Sequence, residues 1–436
     1  MEKNQSKIYP YTLSDGFKGG DGKQKKGVGI YLDYAATTPL DPEVFEVMEP
    51  YFSEKYGNAS SIHQFGQESQ EGVIRARHQV ADFLGCQAEE IIFTSGATEG
   101  NNTAIKGIGG NKNLAQSLGA KPHIIISKIE HECIMASSER LEQEGVAEVS
   151  YLPVSREGLV DSAELRNNIK ANTVLVSIMY VNNEIGTIQP IEEIGRLLKE
   201  INKDRKNRIY FHTDAAQAIN YLDCDVQKLG VDLMTLSSHK FYGPKGAGAL
   251  YVRHGTPLAR FMDGGEQEFK LRAGTHNSPG IVGLGAAIAK VLNQRSNETK
   301  KLRDKLIDGV LDRISGVRLN GSRHERVDNN VNFRFEGVEG ESIVIALDLE
   351  GIAVSTGSAC AARSLSPSHV LLALGLNHLE THSSVRFSLG RYTRDMEIDR
   401  VLDVLPKIIE KLRNISGNLE STVPVERGKL PKDFGC

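Results

Sequence analysis

One lysine of the chain lies shortly after an apolar stretch, where a charged side chain is unusual. The segment Leu233 to Leu236 predicts a buried strand, Lys240 comes four residues later, and a glycine-rich return begins at Gly243. Burial lowers the pKa of an amine, and a deprotonated lysine forms Schiff bases with carbonyl compounds. A lysine considered alone is far more often a solvated surface residue. Whether Lys240 is a buried, reactive amine therefore depends on the residues found at the other turns of the chain.

A cysteine lies in a loop of small residues, Ser355 to Ser364, between a strand-like segment and a helix that we predict from Pro367 onward. This residue, Cys360, has Arg363 three positions later, and an accessible, electropositive setting favours the thiolate form. A single cysteine is more often buried. The small residues around Cys360 reduce that preference and favour a reactive thiol.

Two further strand ends carry groups that could bind a ligand. The apolar segment Ile91 to Phe93 runs into the small residues Thr94 to Asn101, after which a helical pattern begins. Free backbone N–H groups at a helix start favour a phosphate, and simple capping by Ser95 or Thr98 is the alternative. At the end of another apolar segment, Asp214 is by itself as consistent with a helix N-cap as with a cofactor anchor.

These turns require a scaffold of strands and helices. From Tyr31 onward, short apolar runs alternate with helical patterns, which is typical of an α/β fold with a mostly parallel sheet. The predicted strands are Ile91 to Thr94, His123 to Ser127, Val174 to Met179, Ile209 to Thr213, Leu233 to Leu236 and Ala249 to Val252. Apolar positions at helical spacing predict a helix over Ile191 to Ile201.

The pattern changes in the last third of the chain. From Pro279 to Ile314 it is helical for longer than any earlier segment, and this stretch could connect two domains. Beyond it, Val331, Phe333 and Phe335 alternate like a half-exposed strand, and further helices follow. We therefore expect a second, smaller α+β domain.

Composition excludes several classes of protein. The 436 residues carry a net charge of −4, with 39% apolar and 25% charged residues, as in an ordinary globular protein. Bulk basic charge for nucleic-acid binding is absent, and no apolar run approaches the ~20 residues that span a bilayer. Glycines and lysines dominate residues 1–29, with neither a signal-peptide core nor arginine. We expect no nucleic-acid partner, no membrane insertion and a cytoplasmic location.

The cysteines and histidines give no sign of a metal site. The five cysteines (Cys86, Cys133, Cys224, Cys360 and Cys436) are scattered and form no C-x-x-C pair, so neither a disulfide framework nor a zinc site is predicted. His378 and His382 have metal-like spacing but no evident third ligand. Cys86, Cys133 and Cys224 are predicted to be structural, with Cys133 the least certain because it follows His131 by two positions.

In this order, the turns resemble those of the cysteine desulfurases, which are pyridoxal-phosphate enzymes of the class V aminotransferase group. The resemblance covers roughly Tyr31 to Ile415, and the Ser-Gly-Ser-Ala-Cys sequence that ends at Cys360 is similar to the long-loop branch. Its other motifs are Tyr31 to Pro39, Tyr56 to Ser61, Glu130 to Glu132, Val181 to Gly186 and Ser384 to Arg391.

The resemblance implies a role for each site residue. Lys240 would bind pyridoxal phosphate covalently and move the substrate Cα proton, while Asp214 would keep the pyridine nitrogen protonated. His131 would stack on the ring and could relay protons, and Gln217 would hydrogen-bond the phenolic oxygen. The implied phosphate ligands are Ala97, Thr98, Ser237, His239 and, from a neighbouring subunit, Thr275. The implied ligands of the substrate carboxylate are Asn183 and Arg386.

The same resemblance implies the reaction and the architecture. Cys360 would take sulfur from L-cysteine as a persulfide, leaving L-alanine, for an acceptor such as an iron–sulfur scaffold or a thiolation enzyme. A fold-type-I homodimer is implied. The expected segments are 1–29 as an N-terminal extension, 30–45 as part of the small domain, 46–290 as the large cofactor domain, 291–420 as the small domain with the cysteine loop, and 421–436 as a tail.

Three alternatives stay open at this point. A related lyase that acts on selenocysteine would use the same residues, whereas a transaminase has no need of Cys360. A non-catalytic scaffold that only binds partners of a sulfur pathway would not require Lys240, Asp214, His131 and Cys360 together.

Overall fold

The computed structural model of the chain describes residues 29–294, 297–356 and 366–422, without the side chains of residues 292–294 and 416–422. Cys360 and Cys436 lie outside the described residues. So do nearly all of the predicted N-terminal extension and most of the predicted C-terminal tail.

The described residues form twelve strands and fifteen α-helices. The strands are β1 (Ile30–Tyr31), β2 (Ile91–Thr94), β3 (His123–Ser127), β4 (Glu148–Leu152), β5 (Thr173–Ser177), β6 (Tyr210–Asp214), β7 (Leu233–Ser237), β8 (Gly248–Val252), β9 (Val317–Leu319), β10 (Asn330–Phe335), β11 (Ile352–Ala353) and β12 (Ser384–Ser388). The helices are α1 (Pro42–Met48), α2 (Pro50–Ser53), α3 (Gln64–Leu84), α4 (Ala97–Gly109), α5 (Lys112–Leu118), α6 (Glu132–Gln143), α7 (Ser162–Asn168), α8 (Ile191–Asn202), α9 (Val226–Leu229), α10 (Ser278–Gln294), α11 (Glu298–Arg313), α12 (Gly340–Leu349), α13 (His369–Ala373), α14 (His378–His382) and α15 (Asp395–Thr422).

A seven-stranded sheet forms the centre of the larger part of the molecule. Its strand order is β2-β8-β7-β6-β5-β3-β4, and only β8 runs antiparallel to its neighbours. The predicted α/β fold with a mostly parallel sheet is therefore confirmed. All six predicted strands exist, with ends that differ by two residues at most, and β4 is an additional edge strand that was not predicted.

The central strands are apolar throughout because both faces of the sheet are covered by helices. Successive side chains of β3 alternate between two cores: Ile125 belongs to one, and Ile124 and Ile126 belong to the other. All five side chains of β3 are buried. This double burial explains the unbroken apolar runs. The parallel pairing of β4, β3, β5, β6 and β7 places the carboxyl ends of these strands along one edge.

A second core lies around an antiparallel sheet with the order β12-β10-β9. The strand predicted from Val331, Phe333 and Phe335 is confirmed as β10, but its half-exposed character is wrong, because Asn330 and Asn332 on its other face are also buried. The side chains of both asparagines donate hydrogen bonds to backbone carbonyls of Asn183 and Glu184, which makes their burial tolerable.

The long helical pattern of the sequence divides into α10 and α11. Helix α10 packs against α1 and α3, whereas α11 packs against α15 and the second sheet. The predicted boundary after residue 290 falls inside α10. Helix α8, predicted over Ile191 to Ile201, is confirmed and extends one residue further.

The N-terminal segment joins the second sheet system. Strand β1 pairs in parallel with β11, and Asp33 forms an isolated parallel bridge with Ser388 at the end of β12. Among the described residues, no helix combines the length and the apolar character that a bilayer crossing requires.

Candidate active site

The predicted site residues gather where the carboxyl ends of the strands meet. Asp214 ends β6, Ser237 ends β7, and His131 follows β3 as the N-cap of α6. Ligands of open α/β sheets bind at this edge, because the helices that follow each strand leave a crevice there. The side chains come together because the strands are parallel and their connections return over the faces of the sheet.

Lys240 reaches the segment that follows β1. A short 3₁₀ turn, Ser238–Lys240, directs it away from β7, and its Nζ donates to the carbonyl oxygens of Ala35 at 2.6 Å and Ala36 at 2.8 Å. The Ala35 carbonyl also accepts from Gln217 Nε2 at 2.9 Å. The side chains of Lys240 and Gln217 therefore meet at one carbonyl group.

Asp214 is buried, and the groups that donate hydrogen bonds to it are uncharged. Its Oδ1 accepts from the Ala216 N–H at 2.9 Å, and its Oδ2 accepts from Asn101 Nδ2 at 2.6 Å. Asn101 lies on α4 with no exposed surface, and it is not among the predicted site residues. Both oxygens of Asp214 are thus held in fixed directions.

The first turn of α4 offers backbone donors. Its N-cap, Gly96, supplies no side-chain bond to the helix start, where Ala97 and Thr98 are the first residues. A Cβ on Gly96 would lie 3.5 Å from Ser237 Oγ, so the predicted phosphate ligands from α4 and β7 are neighbours. An uncapped helix N-terminus beside a hydroxyl group is suited to an anion.

His239 adds a neutral donor near this turn. Burial, assisted by the positive charges of Lys240 and Lys245, lowers the pKa of His239 to about 4. Its Nδ1 lies 3.1 Å from Thr37 Oγ1. The ring is therefore uncharged at neutral pH and can contribute a hydrogen bond without adding positive charge.

Arg386 joins the second sheet to the crevice. It lies on β12 with 2% of its surface exposed, and its two terminal nitrogens donate to Asp33 Oδ1 at 2.8 Å and the Asn183 carbonyl at 3.0 Å. Asp33 belongs to the Tyr31 to Pro39 motif, but its ion pair with Arg386 was not predicted. A guanidinium held on one side by a carboxylate keeps the geometry that a second carboxylate needs for a forked pair.

One described site residue is not brought into this cluster. Thr275 is exposed, and within the described part of the chain it makes no hydrogen bond to the other site residues. Cys360 lies outside the described residues. The flanks of its segment are described, however, and both reach the cluster. Ser355 and Arg386 exchange two backbone hydrogen bonds, and Ser368 Oγ donates to Glu184 Oε2 at 2.6 Å.

Glu130, next to His131, is a buried carboxyl group that the prediction did not include. Its Oε1 accepts from Ser127 Oγ at 2.5 Å and from the Met179 N–H at 2.9 Å, which ties the ends of β3 and β5 together. Complete burial raises the pKa of Glu130 to about 8, and the negative charge of Asp214 adds to this effect. The carboxyl group is therefore mostly protonated at neutral pH.

The raised pKa of Glu130 predicts a pH-dependent stability. In the unfolded chain a glutamate titrates near pH ~4.3, so between that pH and about 8 the folded state binds one more proton. The free energy of unfolding must then decrease as the pH rises through this range. Glu130→Gln, which does not titrate, is expected to lack this decrease when urea unfolding is compared at about pH 5 and pH 8.

The matched control for that measurement is Glu132→Gln, two positions away and exposed. Its stability should follow the wild-type pH dependence. Equal slopes for Glu130→Gln and the wild type would show that Glu130 is ionised in the folded protein.

Pyridoxal phosphate, implied by the resemblance, can be tested against the charges of the site. Asp214 is 6% exposed, and within the described residues no lysine, arginine or histidine forms an ion pair with it. A buried carboxylate is costly without a positive partner. A protonated pyridine nitrogen supplies that partner, Lys240 supplies the amine and α4 supplies the anion site, so the residues fit the cofactor.

Comparison with known proteins agrees with this chemistry. The family model described as aminotransferase class-V matches residues 30–401. Cysteine desulfurase IscS of Dictyoglomus turgidum is 50% identical over 390 residues, which are 89% of this chain and 96% of the relative.

Solved structures give the same result. A NifS-like protein superposes with a TM-score of 0.80 at 35% identity, covering 88% of this chain and all of that protein's chain. The structure of SspA in complex with cysteine superposes with a TM-score of 0.73 at 38% identity, covering 84% of this chain and 100% of its own. The chain belongs to the cysteine desulfurases of the class V aminotransferase family, which are pyridoxal-phosphate-dependent enzymes.

Proposed function

We propose that the protein is an L-cysteine desulfurase that releases L-alanine and transfers the substrate sulfur to Cys360 as a persulfide. One observation carries this proposal: both flanks of the Cys360 segment are fixed at the residues expected to bind the substrate carboxylate. Ser355 is paired with Arg386, and Ser368 is bonded to Glu184, the neighbour of Asn183. Ser355 precedes Cys360 by five residues, which span at most roughly 17 Å when extended. This short distance along the chain supports Cys360 as the residue that receives the sulfur.

Each residue of the site has a proposed role that follows from its position. Arg386 would hold the substrate carboxylate through a two-bond fork, with Asn183 as a second contact. Pyridoxal phosphate, when bound, withdraws electrons from the substrate Cα. Lys240 would take the Cα proton and later return a proton, because its Nζ lies at the crevice.

Two further residues would support the cofactor. Asp214 would keep a proton on the pyridine nitrogen, since its two oxygens are fixed by Ala216 and Asn101. His131 would stack on the ring, and the α4 start with Ser237 and His239 would bind the phosphate.

Sulfur transfer would then occur at Cys360. Its thiolate attacks the sulfur of the substrate, an S–S bond forms, and the C–S bond breaks. The electron pair of the broken bond passes to the substrate carbon, which is protonated to give alanine. The persulfide on Cys360 would be delivered to an acceptor protein of iron–sulfur cluster assembly or of another thiolation pathway, as the name of the IscS relative suggests.

We also propose a cytoplasmic homodimer in which Thr275 of one subunit completes the phosphate site of the other. Exposed apolar side chains around the α2–α3 connection support an interface, because monomers rarely expose such groups together. Phe52 is 62%, Tyr56 63% and Ile62 92% exposed, and Tyr56 packs against Phe65 with ring centroids 5.8 Å apart. Sedimentation of the purified protein should show a dimer, and a monomer would overturn this part of the proposal.

The proposed substrate is tested by supplying the enzyme with L-cysteine, L-selenocysteine or L-alanine. Alanine formation is measured for the first two compounds, and pyruvate formation is measured for all three. We expect alanine from L-cysteine and, when a 2-oxo acid is supplied as the amino-group acceptor, no pyruvate from L-alanine, because a desulfurase releases the amino group as part of its alanine product. Alanine formation from L-selenocysteine but not from L-cysteine would identify the enzyme as a selenocysteine lyase and contradict the proposal.

Arg386→Lys is expected to raise the KM for L-cysteine by about tenfold to 100-fold, with a smaller decrease in kcat. A single ammonium cannot reproduce the two parallel hydrogen bonds that a guanidinium gives to a carboxylate. Steady-state alanine formation measures both constants. Arg318→Lys, a substitution on the exposed side chain of β9, is the control and should leave both constants unchanged. An unchanged KM in Arg386→Lys would remove Arg386 from the substrate site.

A further inference from the structure

A chain of hydrogen bonds that the proposed mechanism does not use connects Asp214 with His131. Asn101 Nδ2 donates to Asp214 Oδ2 at 2.6 Å and, through its second hydrogen, to Cys133 Sγ at 3.3 Å. Cys133 Sγ lies 3.1 Å from His131 Nδ1. Two polar groups on α4 and α6 thus link the two residues that are expected to hold the cofactor ring.

The direction of the last hydrogen bond follows from the backbone. The Cys133 N–H donates to His131 Nδ1 at 3.2 Å, so Nδ1 is an acceptor. A neutral imidazole with an accepting Nδ1 carries its proton on Nε2. Cys133 Sγ lies beside the same nitrogen and accepts from Asn101, so its S–H group is placed as a second donor that shares Nδ1 with the backbone N–H.

The thiol is available as a donor because it remains protonated. Burial raises the pKa of Cys133 to about 12, and the negative charge of Asp214 contributes to this. Such a thiol is a poor nucleophile at neutral pH. Its environment therefore does not favour a second sulfur acceptor, although it lies in the site.

We propose that Cys133 is a positioning residue whose S–H group donates to His131 Nδ1, beside the backbone N–H that sets the tautomer, and through Asn101 couples the orientation of His131 to Asp214. In the reaction, which rests on the proposed function, neutral His131 would present a proton on Nε2 instead of an accepting lone pair. Cys133 acts through His131 and Asn101, and the sulfur of the substrate goes to Cys360.

The test compares Cys133→Ala, which removes the donor, with Cys133→Ser, which keeps one. Cys224→Ala is the matched control, because Cys224 is also a buried thiol and belongs to the hydrophobic core that contains Ile125. The first readout is the ¹⁵N spectrum of the full chain with labelled histidine, in which the His131 signals are those lost in His131→Gln. The second readout is kcat and KM for alanine formation from L-cysteine.

We expect all four proteins to show His131 with its proton on Nε2, because every variant keeps the backbone N–H that donates to Nδ1. Cys133→Ala alone should shift the ¹⁵N signal of His131 Nδ1, which loses one of its two donors, and should lose about fivefold to tenfold in kcat, with KM within about twofold. An unchanged Nδ1 signal in Cys133→Ala, or equal behaviour of the serine and alanine variants, would overturn the proposal. A persulfide found on Cys133 by mass spectrometry would also overturn it. The Nδ1 signal can be read in a protein that forms no alanine, so failure of the proposed function would be recognised separately.

Discussion

Lys240→Ala is expected to abolish alanine formation from L-cysteine, with a decrease in kcat of more than about 10⁴-fold. The amine is the one group at the Ala35 and Ala36 carbonyls that can both bind the cofactor covalently and move the Cα proton. Its removal would also take away the amine that is proposed to bind the cofactor covalently, and with it the visible absorption that this bond would give. The variant should therefore lose the yellow colour of the bound cofactor as well as activity.

Lys228→Ala is the matched control for this experiment. Lys228 is exposed and pairs with Asp223 at 2.7 Å on the surface, so its loss should change neither absorption nor kcat. Circular dichroism would show that Lys240→Ala is folded. Alanine formation by folded Lys240→Ala at close to the wild-type rate would assign the proton transfer to another group.

Cys360→Ser is expected to release no sulfide while still binding L-cysteine. A serine hydroxyl is not ionised at neutral pH and cannot accept sulfur as a persulfide, so sulfide release should decrease by more than about 10³-fold. Binding should persist, because Arg386, Lys240 and Asp214 are unchanged. Absorption changes on addition of L-cysteine measure binding, and trapping of sulfide measures transfer.

Cys86→Ser is the control for thiol removal. Burial raises the pKa of Cys86 to about 12, with Glu90 and Asp225 adding to the effect, so this thiol is not expected to be reactive. Its substitution should leave sulfide release intact. Full sulfide release by Cys360→Ser would place the sulfur acceptor elsewhere in the chain.

The strands that could be predicted from the sequence are those that form unbroken runs of apolar residues. Strands β2 and β3 are found at their predicted residues because both are buried on two faces and read as unbroken apolar runs. Strand β4 was missed because it lies at the sheet edge with mixed burial and includes the polar residues Glu148 and Ser150. The break between α10 and α11 was missed since the three residues between the helices, 295–297, include neither glycine nor proline.

The site could be predicted where a residue follows its own strand. Asp214, Ser237 and Lys240 carry a local signal, because each lies where a strand ends. The roles of Asn101 and Asp33 depend on partners more than 100 positions away, Asp214 and Arg386, which only the fold brings close. Buried Glu130 adjoins His131 in the sequence, but its isolation from water could not be read from the residues themselves.

One L-cysteine is expected to give one alanine and one sulfur atom, through Cys360. This stoichiometry is measured by incubating the purified, cofactor-loaded protein with L-cysteine and excess thiol reductant, and by determining alanine and sulfide in the same samples. We expect both products to appear at equal rates and in a one-to-one ratio. Alanine without sulfide, sulfide accompanied by pyruvate, or neither product would contradict it.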